Sequence, residues 1–323
     1  MKSFWKGLPR PFFVMAPMAD VTDPAFRALV AKYGRPDVDW TEFVSADGLY
    51  HLREVKKMPD AENPLMRDLQ FTDAERPIVA QLFSSKPEMM AYAVKLCAEL
   101  GFDGIDINMG CPDRAIERQG CGAAMIKTPE VAKQVIAAAK ASGLPVSVKT
   151  RVGYNRESID EWVPVLLESG IEALTLHLRT RKDMSNVPAN WGLMKSAVAL
   201  RDRIAPDTLM IGNGDVKNRE DGESKVRESG ADGAMIGRGM FGNPWVFAGR
   251  KPEDIPLREK LVALIELAHA FEALKPGKSF HILKKHIKAF VTGFDGAADA
   301  RAKLMDTESA AELEAAVLAA GLL

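Results

Sequence analysis

Short β-branched runs alternate with amphipathic helical patterns along most of the chain, and no other feature narrows the fold as far. The runs cover 12–18, 38–44, 77–83, 104–109, 145–151, 173–179, 209–215 and 233–239. Helical patterns fill most of the gaps, at 23–33, 87–100, 129–142, 158–169, 193–204 and 219–229. Gly34, Gly101, Gly143, Gly170 and Gly230 close five of them, at the position after a helix that favours positive φ. Strands separated by helices imply parallel pairing with crossover connections. Eight such units in about 250 residues predict an α/β fold, a (β/α)8 barrel, with a doubly wound open sheet as second choice. The second unit fits least well, because 49–76 is polar and contains prolines. Beyond the eighth run, 250–257 reads as a linker and 258–323 carries only helical patterns. The chain is therefore expected to divide into a barrel domain, 1–249, and a small all-helical domain, 250–323.

Composition narrows the function classes. The 323 residues include 43 Lys+Arg against 44 Asp+Glu, so no bulk positive charge is available to hold nucleic acid; such binding would need a local patch. Three Cys without a C-x-x-C pair predict a reducing compartment rather than a disulfide framework. The opening MKSFWKGLPRPFF has no apolar stretch ahead of Pro9 and Pro11 to serve as a signal peptide. The longest apolar run, 315–323, is too short to span a bilayer. The expectation is a cytoplasmic protein acting as a monomer, with no membrane segment and no metal.

A barrel builds its site at the C-terminal ends of its strands. Gln81, Asn108, Lys149, His177 and Asn213 stand at five of those ends. Side chains alternate faces along a strand. Ile105 and Ile107, Val146 and Val148, and Leu174 and Leu176 take the helix-facing side, leaving Asp106, Asn108, Ser147, Lys149, Thr175 and His177 to point into the mouth. Each alone has a bland explanation, as a turn residue, a core histidine or a salt bridge. Five buried polar groups converging on one cavity need a polar ligand to satisfy them.

Gly237-Arg238-Gly239-Met240-Phe241-Gly242 matches G-x-G-x-x-G. As a dinucleotide fingerprint it should open a strand–helix–strand unit, and here it follows the last strand. Phosphate binding explains it better: the amides of Gly214 and of Gly237–Gly239, with Arg238 as counter-charge, form the seventh/eighth-strand phosphate site of such barrels. The ligand is then a phosphorylated cofactor such as FMN. Cys111, in Asn108-Met109-Gly110-Cys111-Pro112, sits just past the fourth strand, where a thiol suits proton donation or nucleophilic attack. Cys97 reads as a small buried hydrophobe, and Cys121, in Gly120-Cys121-Gly122, has no obvious base nearby.

These segments together resemble the bacterial, flavin-dependent tRNA-dihydrouridine synthase family. The resemblance rests on APMADVTDPAFR (16–27), QLF (81–83), DINMGCP (106–112), VKTR (148–151), HLRTR (177–181), GNGD (212–215), GADGAMIGRG (230–239) and KKH (284–286). It implies FMN as cofactor and NADPH as hydride donor, with NADH as the alternative. Pro17, Met18 and Ala19 would line the flavin ring and Gln81 would contact it. Lys149 and His177 would lie at its pyrimidine edge, where positive charge stabilises the reduced form. Asn213, Gly214, Asp215, Gly237 and Arg238 would hold the ribityl phosphate. Cys111 would be the general acid, Asn108 would orient the uracil, and Arg181 would contact it. The chain departs from the family pattern at Leu178, where Gly is usual, at Lys284, where Arg is common, and at Ala289, which replaces a larger aromatic residue.

The resemblance also makes the tail a tRNA-binding domain. Residues 275–303 carry seven Lys/Arg against Asp295 and Asp299, whereas 304–323 carry four acids and no base. At helical spacing Phe280, Leu283, Ile287 and Phe290 form a buried stripe, with Lys284, Lys285 and Lys288 off it and facing tRNA. Two rivals remain: a flavin barrel reducing a small-molecule pyrimidine or enone, which needs no basic tail, and a tRNA-binding protein with a vestigial, non-catalytic barrel.

Overall fold

The computed structural model describes residues 3–323. Eight parallel strands follow one another around a barrel: β1 (Phe12–Met15), β2 (Asp39–Trp40, resumed at Val44–Ser45), β3 (Ile78–Phe83), β4 (Gly104–Met109), β5 (Val146–Arg151), β6 (Ala173–His177), β7 (Leu209–Asn213) and β8 (Gly233–Ile236). The seam closes where β1 pairs with β8 on one side and bridges Val38 on the other, with Asp37 N donating to Phe13 O at 2.8 Å. This closure excludes the open doubly wound sheet.

The strand ladders stop earlier than the sequence runs at several mouth-side ends, because the chain there leaves its neighbours to form loops. β1 ends before Pro17, whose nitrogen has no hydrogen to donate, and β8 gives way to a 3₁₀ turn at Arg238–Met240. The expected helices form as α1 (Pro24–Gly34), α2 (Pro87–Glu99), α3 (Pro129–Lys140), α4 (Ile159–Glu168), α5 (Gly192–Ile204) and α6 (Arg219–Ser229). Asp23 caps α1, accepting from Phe26 N at 3.0 Å, with Pro24 in the first turn. The weak second unit resolves into short pieces, Ala46–Tyr50 and Pro64–Asp68, with single turns between and after them.

Gly101, Gly143, Gly170 and Gly230 have positive φ as expected, but Gly34 does not. It is the last residue of α1, and its value is space: a Cβ there would lie 2.8 Å from the carbonyl oxygen of Pro244.

The tail is helical throughout: α7 (Leu257–Glu272), α8 (Lys284–Phe290), α9 (Ala297–Met305) and α10 (Ala310–Ala319). It is not a detached lobe. His286, on α8, is buried between the rings of Phe26 and Phe241, at centroid distances of 4.7 and 5.7 Å, and Lys32 of α1 pairs with Glu266 of α7 at 2.8 Å. One apolar core runs from the barrel into the tail without a break. Among the described residues no helix is long and apolar enough to cross a membrane.

The expected stripe of the tail is only partly right. Leu283, Ile287 and Phe290 are buried as expected, whereas residues 280–282 form a 3₁₀ turn ahead of α8 and Phe280 is only half-buried. Lys284 then shares a face with Ile287 and Val291; it is buried and paired with Glu308 at 2.7 Å. Lys288 is exposed and Lys285 half-buried.

Candidate active site

At the C-terminal ends of the strands lies a cavity of about 250 Å³. Its floor is a directed chain of hydrogen bonds. Asp106 is fully buried, and burial lifts its carboxyl to about 6 against hydrogen bonds donated by Ser147 Oγ (2.6 Å) and Gln81 Nε2 (2.7 Å). Because Gln81 donates to Asp106, its Oε1 accepts from Asn108 Nδ2 at 3.1 Å. Asn108 Oδ1 in turn accepts the amides of Gly110 (3.1 Å) and Cys111 (2.9 Å). On the far side, the Cys111 carbonyl accepts from Ala123 N at 2.9 Å. The loop carrying the thiol is therefore tied on both sides to buried structure.

Cys111 lines the cavity, and burial raises its thiol above the ordinary range, against the opposing pulls of the Asp113 amide, Lys149 and Arg151. It is a neutral S–H, able to give a proton. Cys121 is buried with Phe83 and Ile116, its thiol also raised by burial, and packs as a small hydrophobe beside Cys111. Cys97 is sealed in α2 and burial raises its thiol further still.

Lys149 shares the cavity. Burial first, then the charge of Arg151, pull its ammonium down to about 8, with Asp106 opposing. His177 lies in the same wall. Burial holds it well below its usual value, and Lys149, Arg151, Arg179 and Arg238 add to the effect. Its Nε2 lies 3.0 Å from Arg179 Nη1. A guanidinium can only donate, so Nε2 accepts and Nδ1 carries the hydrogen. This corrects the sequence expectation that His177 brings positive charge; it is a neutral donor, and Lys149 carries the charge.

Two charged cavity residues were missed by sequence reasoning. Arg151 and Arg179 line it as well; each stands two positions after a residue already assigned inward, Arg151 on the same face of β5 and Arg179 in the turn just past the end of β6. Both hold loop carbonyls. Arg151 donates to Gly110 O (2.8 Å), Thr180 O (3.0 Å) and Met184 O (2.9 Å), and Arg179 Nε to Val187 O (2.6 Å). Phe43, within the break in β2, completes the front wall with Pro17 and Met18.

The opposite end suits an anion. Among the described residues the amides of Gly214, Asp215, Gly237 and Arg238 donate to no protein acceptor, and Arg238 keeps 66% of its side chain exposed. Gly214 has φ +120°, and a Cβ there would lie 2.7 Å from that of Ala189, so only glycine turns the chain here. Asn213 lines the cavity with its Nδ2 donated to Met235 O at 3.0 Å. The Asp215 carboxylate is engaged by Arg179 and Arg238, each at 2.5 Å, and by Ala189 N at 2.8 Å.

Other expected site residues lie elsewhere. Ala19 is exposed and outside the cavity lining, because the chain turns outward after Met18. Arg181 is also outside it, its guanidinium forked onto Glu117 with Nε 2.9 and 3.0 Å from the two carboxylate oxygens. Lys284, Lys285 and Lys288 belong to the tail surface or interior rather than to the cavity.

Comparison with known proteins decides the family. The family model described as Dihydrouridine synthase (Dus) matches residues 14–321. The chain belongs to the dihydrouridine synthase family. It is 42% identical over 318 residues to the "Probable tRNA-dihydrouridine synthase 2" of Bacillus subtilis, covering 97% of this chain and 95% of that protein. Identity is also 42% over 320 residues to the "Probable tRNA-dihydrouridine synthase" of Staphylococcus aureus, covering 97% and 94%. Membership makes this dihydrouridine synthase an oxidoreductase. Among solved structures, morphinone reductase aligns with a TM-score of 0.50 at 12% identity, covering 80% of this chain and 89% of the other. A 2-naphthoyl-CoA reductase aligns at 0.54 and 9%, covering 75% of this chain, which spans half of that longer protein. These two likenesses speak to the barrel alone.

Proposed function

We propose that this dihydrouridine synthase carries FMN, is reduced by NADPH, and reduces a uridine of tRNA to 5,6-dihydrouridine with Cys111 as proton donor. The observation that carries the reading is the placement of a fixed, neutral thiol in the same cavity as a buried lysine and a cradle of unbonded amides.

The donor set fits the cofactor. The amides of Gly214, Asp215, Gly237 and Arg238, with the Arg238 guanidinium, would hold its phosphate. Asp215 would repel a phosphate, so its part is to hold Arg238 and Arg179 in place. Pro17 and Met18 would pack on the ring, and Gln81, already committed to Asp106 and Asn108, would contact it. Lys149 and the Nδ1–H of His177 would face its polar edge, where positive charge favours the reduced state. When bound, FMN supplies the hydride for C6 of the uracil.

The protein's own groups do the rest. A uracil cannot be reduced within a base stack, so the target nucleotide must be extruded into the mouth. Asn108 orients the cysteine loop and has one amide hydrogen left for the base. Cys111 protonates C5, which becomes basic only as hydride arrives, so an un-ionised thiol is the right form. The tail, 250–323, is the tRNA-binding region: the family match extends through it to residue 321, which disfavours the small-molecule rival, and the thiol–lysine pairing disfavours a vestigial barrel.

Lys278 and Lys284 are spent on carboxylates, leaving Lys275, Lys285, Lys288, Arg301 and Lys303 as the basic surface. Reversing charge at both Lys285 and Lys288 should weaken tRNA binding and reduce the salt slope of log K by about 2. Filter binding across a KCl series reads this directly, and an unchanged slope would move tRNA to another face. The reaction itself is tested by mass spectrometry of tRNA from cells with and without the gene. Loss of dihydrouridine at a defined position supports the reading, and an identical modification map overturns it.

A further inference from the structure

We propose that Lys278, in the tail, is a positioning residue that sets the front wall of the catalytic cavity. Its side chain is 4% exposed and lies 2.7 Å from Glu42, 3.5 Å from Asp68 and 3.7 Å from Asp20. Two of these partners flank the cavity. Glu42 directly precedes Phe43, and Asp20 follows Met18 by two residues; Phe43 and Met18 both line the wall. Glu42 also accepts the amide hydrogen of Asp20, so the two loops form one unit around the ammonium. Asp20 holds a left-handed φ of 56°, a conformation that needs outside support.

The segment bearing Lys278 is itself anchored to the barrel. Arg67 Nη1 donates to Pro276 O (3.1 Å) and Gly277 O (3.3 Å), and Gln70 Nε2 to Lys275 O (3.2 Å). The ammonium is therefore delivered to a fixed point. Asp68 has a second partner in Arg67, whereas Glu42 and Asp20 find their countercharge in Lys278. Without it, the buried Glu42 carboxylate is left beside Asp20 and Asp68 with no countercharge of its own, and the loops bearing Met18 and Phe43 separate. The tail thus shapes the cofactor cavity as well as holding tRNA.

The proposal rests on the flavin reading, and its test separates the two. Purified holoenzyme is prepared as wild type, Lys278→Met, Lys278→Arg and Lys32→Met. Lys32 pairs with Glu266 across the same two parts of the chain but is exposed and away from the cavity. Flavin release is followed as fluorescence gained on dilution, with the visible flavin spectrum, kcat and KM for tRNA measured alongside. Lys278→Met should release flavin about tenfold faster, shift the visible band and lower kcat more than it changes KM. Lys278→Arg should restore most of this, and Lys32→Met should match wild type. If Lys278→Met does not fold, Glu42→Gln should show the same direction of change, smaller in size. Lys278→Met or Glu42→Gln behaving like Lys32→Met would overturn the proposal. A wild-type protein without flavin would overturn the parent reading instead.

Discussion

Cys111→Ala should yield a flavin-loaded protein that NADPH still bleaches, while its reduction of tRNA uridine falls by about 10²- to 10⁴-fold, the usual worth of a positioned general acid. The two half-reactions separate because the thiol touches only the second. Asn108 and Ala123 hold the loop through main-chain groups of residue 111, which alanine keeps. Stopped-flow bleaching at the flavin band and single-turnover tRNA reduction measure the two steps. Full uridine reduction by the variant would remove Cys111 from the mechanism.

Lys149→Met is expected to have an effect of similar size on the opposite step. Methionine fills the space but brings no charge to the edge where the reduced cofactor gains it. Loss of one preorganised electrostatic group costs about 10²- to 10³-fold in rate, so bleaching by NADPH should slow by that order and the flavin potential should fall. The pH profile gives a second signature. Lys149 loses its proton at about 8, and the charged form is the active one. Activity should therefore decline as pH rises through about 8, and the variant should lack that limb. Cys111, raised above the ordinary thiol range, stays protonated there and cannot produce it. A variant retaining the limb would assign it to another group.

Much of the barrel could be read from strand alternation. Asp106, Asn108, Ser147 and Lys149 point inward because Ile105, Ile107, Val146 and Val148 must meet helices. The same alternation reaches Arg151, the last residue of β5, but Arg179 lies past the end of β6, in the loop that its guanidinium holds, where strand alternation no longer applies. Proton positions were beyond the sequence: His177 is neutral chiefly because burial disfavours the imidazolium, with a lysine and three arginines gathered around it from different strands and loops adding to the effect. The Lys284 error is one of width. Leu283, Ile287 and Phe290 are buried as the stripe requires, but the covered face of α8 is wider than that stripe and takes in Lys284 beside Ile287 and Val291, where Glu308 meets its ammonium. Lys278 was counted as tRNA surface because its partners, Asp20, Glu42 and Asp68, lie some two hundred positions away in the chain.

The seating of His286 between Phe26 and Phe241 has a practical consequence for anyone hoping to redirect such an enzyme by grafting a relative's tail. A cut at residue 250 would strip the cover from the first barrel helix and leave a wet, apolar scar beside the anion-binding turn. Chimeras should fold only when the donor's equivalents of those two rings travel with the graft, so target choice and barrel integrity are inherited as a package.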